Sequence, residues 1–340
     1  MVGASGYSGQ ELLHYLARHP VFKLALVAAK STAGQKLAQI VHGLPKDLAA
    51  MEIIDAAADY SLAQKAELFF LAVPHGMAAP YVVALREAGK MVVDLSADFR
   101  TTAPAVYKEF YDHDHPAPAL LREAVYGIPE IHRDRLKSAK LIAAPGCFPT
   151  SIIVPLVPFL RYIQPSRIIV NSLSGASGAG RKVELRLLFG EITDNMYAYS
   201  VPKHRHLGEI EQELSLAAGE KVTITFTPHV VPMHRGMVST IVADFERPLS
   251  SFPMTDSDVH QVLLEAYGSE PFVEVLPPGE LPQARYVAHS NRIQVAARID
   301  PRTNRLLLFS SLDNLGKGNA SQAVQAANLA CGLEEKLGLE

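Results

Sequence analysis

The sequence predicts an α/β protein of two domains: a parallel sheet with crossover helices, then an α+β domain built on a largely antiparallel sheet. Up to about residue 140, apolar runs alternate with helix-like stretches, which is the pattern of a parallel sheet. Beyond Cys147 the predicted strands include alternating polar and apolar residues, as one-sided antiparallel strands do. A chain of 340 residues is long enough for two domains with separate cores.

The elements of the first domain follow from its apolar runs and from the residues that interrupt them. Pro20 ends the first helix-forming stretch, and Pro74-His75-Gly76 stops the apolar run 67–73. The segment 101–124 is polar and contains several prolines, so we expect irregular structure there. The predicted helices are 10–19 and 78–88, and the predicted strands are 23–29, 67–73 and 91–95.

The elements of the second domain are predicted in the same way. One face of its sheet is expected to shield an active site or to meet a second subunit. The final helix, 319–336, has apolar residues on one side, and we expect it to return to the first domain. The expected domains are 1–145, completed by 316–340, and 146–315. The predicted helices are 151–160, 207–218 and 256–267, and the predicted strands are 167–173, 221–227, 237–245 and 292–299.

Composition narrows the class of protein. A hydrophobic content of 48% with 20% charged residues is ordinary for a globular protein. The net charge of −3 and the lack of a long Lys/Arg run argue against a nucleic-acid partner. The apolar segments are too short for a membrane span, and we find no secretory leader. Two distant cysteines, Cys147 and Cys331, favour a reducing cytoplasm over a disulfide framework, and no metal site is predicted.

A glycine-rich loop opens the chain. Gly3, Gly6 and Gly9 are spaced three apart and lead into a helix, so the loop backbone can approach a pyrophosphate held by helix N–H groups. The loop indicates a Rossmann-type dinucleotide-binding domain; the alternative is a tight turn without ligand. Only Met1 and Val2 precede Gly3, so we expect the first strand to be missing and its neighbours unpaired. The loop residues predicted to bind the cofactor are Gly3, Ser5, Gly6, Tyr7, Ser8 and Gly9.

The end of the second strand favours NADP(H) over NAD(H). An NAD site usually has an acidic residue there for the ribose hydroxyls, and residues 27–36 contain none. Lys30, Ser31 and Lys36 are instead suited to a 2′-phosphate. The alternative is a pair of solvated lysines, Lys30 and Lys36.

Cys147 follows a Pro145-Gly146 turn and precedes a helix-forming apolar stretch. The positive end of a helix dipole favours a thiolate, so Cys147 is a candidate nucleophile. The alternative is a buried structural cysteine. Pro155 and Pro158 are expected to kink or shorten the helix that follows.

Two histidines, His204 and His206, lie in the polar segment 203–211. Histidine titrates near neutral pH, so either can serve as a general acid/base beside a thiolate. Glu209 lies three residues after His206 and can orient that ring on a helical turn. The alternative is a helix N-terminus with solvated polar residues.

A series of motifs, in the same order along the chain, resembles the N-acetyl-γ-glutamyl-phosphate reductase family. Members of this family are NADPH enzymes of arginine biosynthesis, and their architecture is related to that of aspartate-semialdehyde and glyceraldehyde-phosphate dehydrogenases. The chain departs from the family pattern at Ser151, where a small apolar residue is usual, and at Gly208, where proline is usual. The motifs that carry the resemblance are 3–9, 74–76, 94–100, 126–130, 145–150, 174–181, 204–206 with 209–210, 227–229, 232–233, 235–236 and 313–318.

The resemblance implies a set of functional residues. It makes Cys147 the nucleophile and one of His204 and His206 the acid/base. It implies an N-acetylated acyl phosphate as substrate, contacted by Arg100, Arg205 and Glu209, and a homodimer or homotetramer. Another acyl phosphate, aspartyl or N-acetyl-aminoadipyl, is the nearer alternative, and a non-catalytic nucleotide-binding protein is the more distant one. The resemblance also implies further residues of the NADP(H) site: Pro74, Ser174, Gly175, Ser177, Gly178, Asn314 and Gly316.

Overall fold

The computed structural model describes residues 1–55 and 61–340. These residues form two compact units. The first unit contains Met1–Pro145 and Asn319–Glu340, and the second contains Gly146–Gly318.

The secondary structure of the described residues alternates helices and strands first and is richer in strands later. The helices are α1 Tyr7–Arg18, α2 Lys46–Ala49, α3 Ala79–Glu87, α4 Pro104–Tyr111, α5 Pro129–Leu136, α6 Cys147–Leu156, α7 Phe189–Ile192, α8 Leu207–Ala218, α9 Asp256–Tyr267, α10 Ala284–Val287 and α11 Ser321–Ala330. The strands are β1 Val27–Ala28, β2 Ile53–Ile54, β3 Leu68–Leu71, β4 Met91–Asp94, β5 Val125–Tyr126, β6 Leu141–Ala143, β7 Ile163–Gly175, β8 Tyr197–Ala198, β9 Ile224–Val231, β10 Met237–Phe245, β11 Val273–Val275, β12 Ile293–Asp300 and β13 Arg305–Leu312.

The first unit is built on parallel strands. Strands β3, β4, β6 and β5 pair in that order, and β1 pairs with β2, all in parallel. Val2 bridges Ala28 on one side and Leu71 on the other, and so joins the two sheets. The expectation that the neighbouring strands are unpaired is therefore wrong, because the first three residues hydrogen-bond to both sides. Val2 bonds to Phe70 O and Ala72 N–H, while Ala28 N–H donates to Met1 O and accepts from Gly3 N–H through its carbonyl.

Local structure in the first unit departs from the sequence prediction in two places. The segment 101–124 is not irregular: it contains α4 and a 3₁₀ helix, Pro118–Arg122. Pro104 lies in the first turn of α4, where proline's missing N–H costs nothing, so the prolines start helices here. The strand predicted at 23–29 is reduced to β1.

The C-terminal part of the first unit is helical, but over a shorter range than predicted. A π-helical turn, Gly316–Ala320, precedes α11, which ends at Ala330 instead of continuing to 336. Residues Ser321–Leu329 of α11 are all buried. Within the first unit α11 packs against α1 and α5.

The second unit has one large mixed sheet, with strand order β11-β12-β13-β10-β7-β9-β8. The structure describes every residue of 146–318, and in this range β11 with β12 and β7 with β9 are parallel, while the other neighbours pair antiparallel. The predicted α+β domain on a largely antiparallel sheet is confirmed.

The sheet of the second unit has one covered face. Helices α6, α8 and α9 pack on it. Along β7 the side chains alternate: Val170 is fully buried, whereas Ile169 and Leu173 remain 43% and 37% exposed on the other face. The bounds of α8, α9 and β10 agree with the sequence prediction, whereas β11 and β13 were not predicted.

No helix among the described residues combines the length and apolar character that crossing a membrane requires.

Candidate active site

Cys147 is the first residue of α6. Gly146 precedes it in an extended conformation, with φ −72° and ψ 162°, and has no side chain to cap the helix. Cys147 is partly exposed and forms no disulfide with a described residue. The helix begins four residues earlier than predicted and ends at Leu156, with Pro155 inside it. Cys147 thus lies at the positive end of α6, as expected.

The imidazole of His206 lies against the turn that leads into Cys147. A Cβ built on Gly146 would lie 2.5 Å from His206 Nε2, which is far too close for a real contact. Only glycine at position 146 therefore lets the ring approach the backbone at the start of α6.

Glu209 connects His206 to the start of α6. Its side chain is 2% exposed, and Oε2 accepts a hydrogen bond of 3.3 Å from the Gly146 N–H. The other carboxylate oxygen, Oε1, is 3.7 Å from His206 Nε2. Because Glu209 lies in the first turn of α8, the positive end of that helix stabilises the buried carboxylate. The arrangement favours the orienting role of Glu209.

His204 occupies a different environment from His206. Its ring packs edge-on against Phe148, Phe226 and Tyr199. Burial lowers the pKa of His204 to about 4, and the charge of Arg205 adds to the shift. Nδ1 of His204 accepts a hydrogen bond of 3.1 Å from the His206 backbone N–H, which assigns the proton to Nε2. His204 is therefore neutral at pH 7 and supports the backbone of His206.

Tyr199 adds a neutral phenol to this group of rings. Burial raises the pKa of Tyr199, and the nearby charge of Cys147 raises it further. The phenol therefore stays protonated beside Cys147.

The end of β7 and the loop after it carry four of the residues predicted to bind the cofactor. This segment is held by backbone hydrogen bonds from Gly175 N to Gly236 O and from Ser177 N to His234 O. Asn314 joins it, since its Nδ2 donates to Ser177 Oγ at 2.9 Å. The structure thus brings together Ser174, Gly175, Ser177, Gly178 and Asn314 within the second unit.

Asp313 organises the segment that follows β13. Its carboxylate is fully buried, pairs with Arg235 Nε at 2.7 Å, and accepts hydrogen bonds from the N–H groups of Leu315 and Gly316. This loop brings Gly318 next to the candidate nucleophile: a Cβ on Gly318 would lie 2.7 Å from Cys147 Cβ. Glycine is therefore required here for the helix of Cys147 to fit.

The glycine loop of the first unit lies at the carboxyl edge of its parallel strands. Gly3 has φ +93°, and a Cβ there would lie 2.3 Å from Ala72 O. A Cβ on Gly9 would collide with Gly3 O, at 2.1 Å. Gly6, by contrast, precedes α1 and faces open space. Gly3 and Gly9 thus close the turn, and Gly6 leaves room for a ligand at the start of α1.

The other predicted cofactor residues of the first unit follow neighbouring strands. Lys30 and Ser31 come just after β1 and are exposed, and Pro74 comes shortly after β3. Because Val2 bridges β1 and β3, these segments and the glycine loop share one edge of the sheet.

Arg100 lies in a buried polar cluster of the first unit. It is 4% exposed, and its guanidinium donates to Ala144 O at 2.8 Å and to Leu95 O at 3.1 Å. Nearby, the Asp98 carboxylate accepts hydrogen bonds from the backbone N–H groups of Gly76, Ala78 and Ala79.

Comparisons with known proteins match this organisation. Residues 1–139 match the family described as "Semialdehyde dehydrogenase, NAD binding domain", and residues 147–314 match "Semialdehyde dehydrogenase, dimerisation domain". Proteins named N-acetyl-gamma-glutamyl-phosphate reductase from Geobacter metallireducens and Akkermansia muciniphila are 46% and 44% identical to the whole chain, which covers 97% of each.

The chain belongs to the N-acetyl-γ-glutamyl-phosphate reductase family.

Solved structures of semialdehyde dehydrogenases share the fold of this family member. Aspartate semialdehyde dehydrogenase II from Vibrio cholerae, complexed with ASA, superimposes with a TM-score of 0.71 at 17% identity over 97% of both chains. Aspartate semialdehyde dehydrogenase with NADP from Candida albicans gives a TM-score of 0.72 at 17% identity, over 97% of this chain and 98% of that one. The resemblance and the fold class that the sequence predicted are confirmed.

Sequence reasoning missed several residues of the reductase-family site. It left the two histidines equivalent, did not single out Gly146 or Tyr199 as functional, and did not place Gly318 beside Cys147. The strict need for glycine follows from contacts with distant residues, so no local pattern indicates it. Arg205 is exposed next to the two histidines, and its role in substrate binding stays a prediction.

Proposed function

We propose that this chain is the NADPH-dependent enzyme that converts N-acetyl-γ-glutamyl phosphate to N-acetylglutamate 5-semialdehyde in arginine biosynthesis. The observation that carries the proposal is Cys147 at the N-terminus of α6, with His206 and Glu209 against the same turn. Full-length relatives at 46% and 44% identity carry the name of this reductase. We assign cofactor binding to residues 1–145 with 316–340, and catalysis and oligomerisation to 146–315.

The glycine loop fits a dinucleotide. Gly6 leaves open space in front of α1, whose first N–H groups have no capping side chain. Lys30 and Ser31, exposed after β1, provide a cation and a hydroxyl for a 2′-phosphate. These residues would hold NADP(H), with Pro74 and the loops at 174–178 and 314–316 as further contacts. When bound, the nicotinamide supplies the hydride for the reduction.

Cys147 performs the covalent step. Its thiolate attacks the acyl-phosphate carbonyl, a carbon–sulfur bond forms, and the bond to phosphate breaks with release of inorganic phosphate. Reduction of the resulting thioester gives a thiohemiacetal, which collapses to the aldehyde and returns the thiolate. Backbone N–H groups at the start of α6 are suited to stabilise the oxyanion.

His206 acts as the general acid/base in this scheme. Its ring lies beside the turn of Cys147, and the Glu209 carboxylate, 3.7 Å from His206 Nε2, is placed to orient it. We assign this role to His206 and not to His204, because burial lowers the pKa of His204 and its Nδ1 accepts a hydrogen bond from the His206 N–H. Arg100 and Arg205 are assigned to substrate anions: Arg205 is exposed, and Arg100 is held by carbonyls.

The chain is proposed to act as a homodimer or homotetramer. The matched family domain is described as a dimerisation domain. Within it, the segment 181–203 has no buried residue, yet Val183, Leu185 and Phe189 are 82%, 72% and 83% exposed. Apolar side chains this exposed indicate a protein interface. A cytoplasmic location completes the proposal, since the mechanism needs a reduced Cys147.

The test measures NADP⁺ reduction that depends on inorganic phosphate, with N-acetylglutamate semialdehyde as substrate. The semialdehydes of aspartate and of N-acetyl-aminoadipate are measured in parallel with Cys147→Ala as the control. We expect the N-acetylglutamyl compound to be preferred and the variant to be inactive. Preference for another semialdehyde would reassign the substrate, and an active Cys147→Ala protein would overturn the mechanism.

A further inference from the structure

Three serines form a row across the centre of the large sheet of the second unit. Ser239 of β10 lies opposite Ser172 of β7 on one side and opposite Ser310 of β13 on the other. All three are completely buried. They meet a fourth buried serine, Ser151, which lies one helical turn after Cys147 in α6. We call these four residues the serine ladder.

Hydrogen bonds connect the serine ladder to the helix that begins with Cys147. Ser172 Oγ and Ser239 Oγ are 2.7 Å apart, and Ser239 Oγ and Ser151 Oγ are 2.8 Å apart. The Ser151 hydroxyl donates to Phe148 O at 2.8 Å. The Ser310 hydroxyl donates to the Ser151 carbonyl. Two strands are thus joined to α6 through Ser151.

The direction of the hydrogen bonds in the serine ladder follows from counting the hydroxyl protons. Each hydroxyl has one hydrogen to donate. Because Ser151 donates to Phe148 O, it must accept from Ser239, and Ser239 must in turn accept from Ser172. The donors therefore follow one order, from Ser172 to Ser239 to Ser151, and the last hydrogen bond ends on the carbonyl of Phe148, the residue next to Cys147.

Packing by itself does not require these hydroxyls. Alanine would fit the same space, and a buried hydroxyl is favourable only when it finds a partner. A fully connected set of hydroxyls, however, accepts only one rotation and one depth of α6 on the sheet, whereas apolar contacts tolerate small shifts.

We propose that the serine ladder is a positioning device that fixes the rotation and depth of α6, and with it the place of the Cys147 sulfur relative to His206. Ser151 and Ser239 are its central positioning residues. The inference rests on the proposed role of Cys147, but it concerns the geometry of the free enzyme and needs no particular substrate.

The experiment measures alkylation of Cys147 by iodoacetamide as a function of pH, followed by peptide mass spectrometry on the full chain. Neither substrate nor nucleotide is needed, so a failure of the proposed reductase reaction leaves this measurement interpretable. Displacing a reactive group by an ångström costs up to about 100-fold in rate. We expect Ser239→Ala and Ser151→Ala to slow alkylation near neutral pH by about tenfold and to shift its pH profile, within that range.

Ser311→Ala is the matched control. Ser311 lies next to Ser310 on the same strand, is equally buried, and donates to Met237 O of β10 at 2.8 Å. This variant should lose thermal stability, as the ladder variants do, but keep the alkylation profile of the parent protein. In the reductase assay, Ser239→Ala should lower kcat more than it changes KM.

Ser172→Ala is a milder disruption of the serine ladder, and it replaces Ser239→Ala in the experiment if that variant does not fold. It removes the first donor and leaves Ser239 and Ser151 bonded, so a smaller change in the same direction is expected. Unchanged alkylation in every folded ladder variant would overturn the proposal and reduce the ladder to packing. The same conclusion would follow if Ser311→Ala shifted the profile as much as they do.

Discussion

The first unit and the second unit both bury charged side chains, but they use them differently. In the first unit, Asp98 accepts hydrogen bonds from three backbone N–H groups around the start of α3, and Arg100 donates to two backbone carbonyls. In the second unit, Glu209 and His206 face the turn that carries Cys147.

This difference in the use of buried charge predicts which substitutions affect stability and which affect reactivity. A buried charge that satisfies backbone groups holds a loop and a helix end together, so its loss leaves those groups without partners. A buried charge that faces a nucleophile changes the chemistry of that nucleophile. Substitution of Asp98 should therefore act on the free energy of unfolding, and substitutions of Glu209 and His206 on the rate.

The largest effect is expected for Cys147→Ala. Without the thiol no thioester forms, and kcat should fall by about 10⁴-fold or more. NADP(H) binding should survive, because the glycine loop belongs to the first unit. Turnover and a fluorescence titration with NADPH measure the two properties. Loss of both together would mean that the variant is misfolded and that the separation of roles is not tested by it.

The two histidines form a matched pair for the next test. His206→Gln removes the proposed acid/base and should lower kcat by about 10²- to 10⁴-fold, with little change in the melting temperature. His204→Gln replaces a ring packed among aromatic residues and should lower the melting temperature more and kcat less. The opposite ranking in kcat would exchange the roles assigned to them.

Asp98→Ala tests the backbone-bound cluster. Three N–H groups lose their acceptor, so the free energy of unfolding should fall by about 3 kcal/mol in urea denaturation. Asp98→Asn keeps one acceptor and should lose less. A stable Asp98→Ala protein with reduced kcat would show that the first unit also contributes directly to the reaction.

Asp94 and His204 should give the two units opposite responses to pH. Burial raises the pKa of Asp94 to about 7, with the Asp98 charge adding to the shift, so its contribution to stability is present below pH 3.8 and is lost as the pH rises towards 7. Burial lowers the pKa of His204 to about 4, so its contribution is present above pH 6.5 and is lost as the pH falls towards 4.

Urea unfolding across pH 4 to 8 measures this contrast. Relative to the parent protein, Asp94→Asn should gain stability as the pH rises, by up to about 1.4 kcal/mol per pH unit. The stability advantage of the parent over His204→Gln should grow from pH 4 to 6.5. A flat difference for either variant would show that its group titrates alike in the folded and unfolded chain.

The smallest effect is expected for Lys30→Ala. Lys30 is exposed, so removing its charge should raise the Kd for NADPH only about fivefold. Affinity for NADH should not change, because NADH has no 2′-phosphate. Equal changes for both cofactors, or none, would identify Lys30 as a solvated lysine.

Elements with strong local signals were predictable from the sequence. The predicted bounds of α8, α9 and β10 agree with the structure. Thr255 begins α9 with a capping box, and Gly219 ends α8 in the left-handed conformation, so both boundaries are encoded within a few residues.

Elements whose signals depend on context were predicted less well. The prolines of 101–124 were interpreted as loop residues, although Pro104 starts a helix. Strand β13 was missed, and its buried Ser310 and Ser311 weaken the apolar pattern of a central strand.

The sequence by itself determined the fold class, the family, the candidate nucleophile and the glycine loop, because each depends on a contiguous motif. Only the tertiary structure distinguishes the surroundings of His204 from those of His206, on which the proposed assignment rests. The two are separated by one residue, and Phe226 from β9 and the start of α6 place one ring in an aromatic cluster and the other beside the cysteine turn. Burial and contact with distant strands determine what a histidine can do, and a local pattern contains neither.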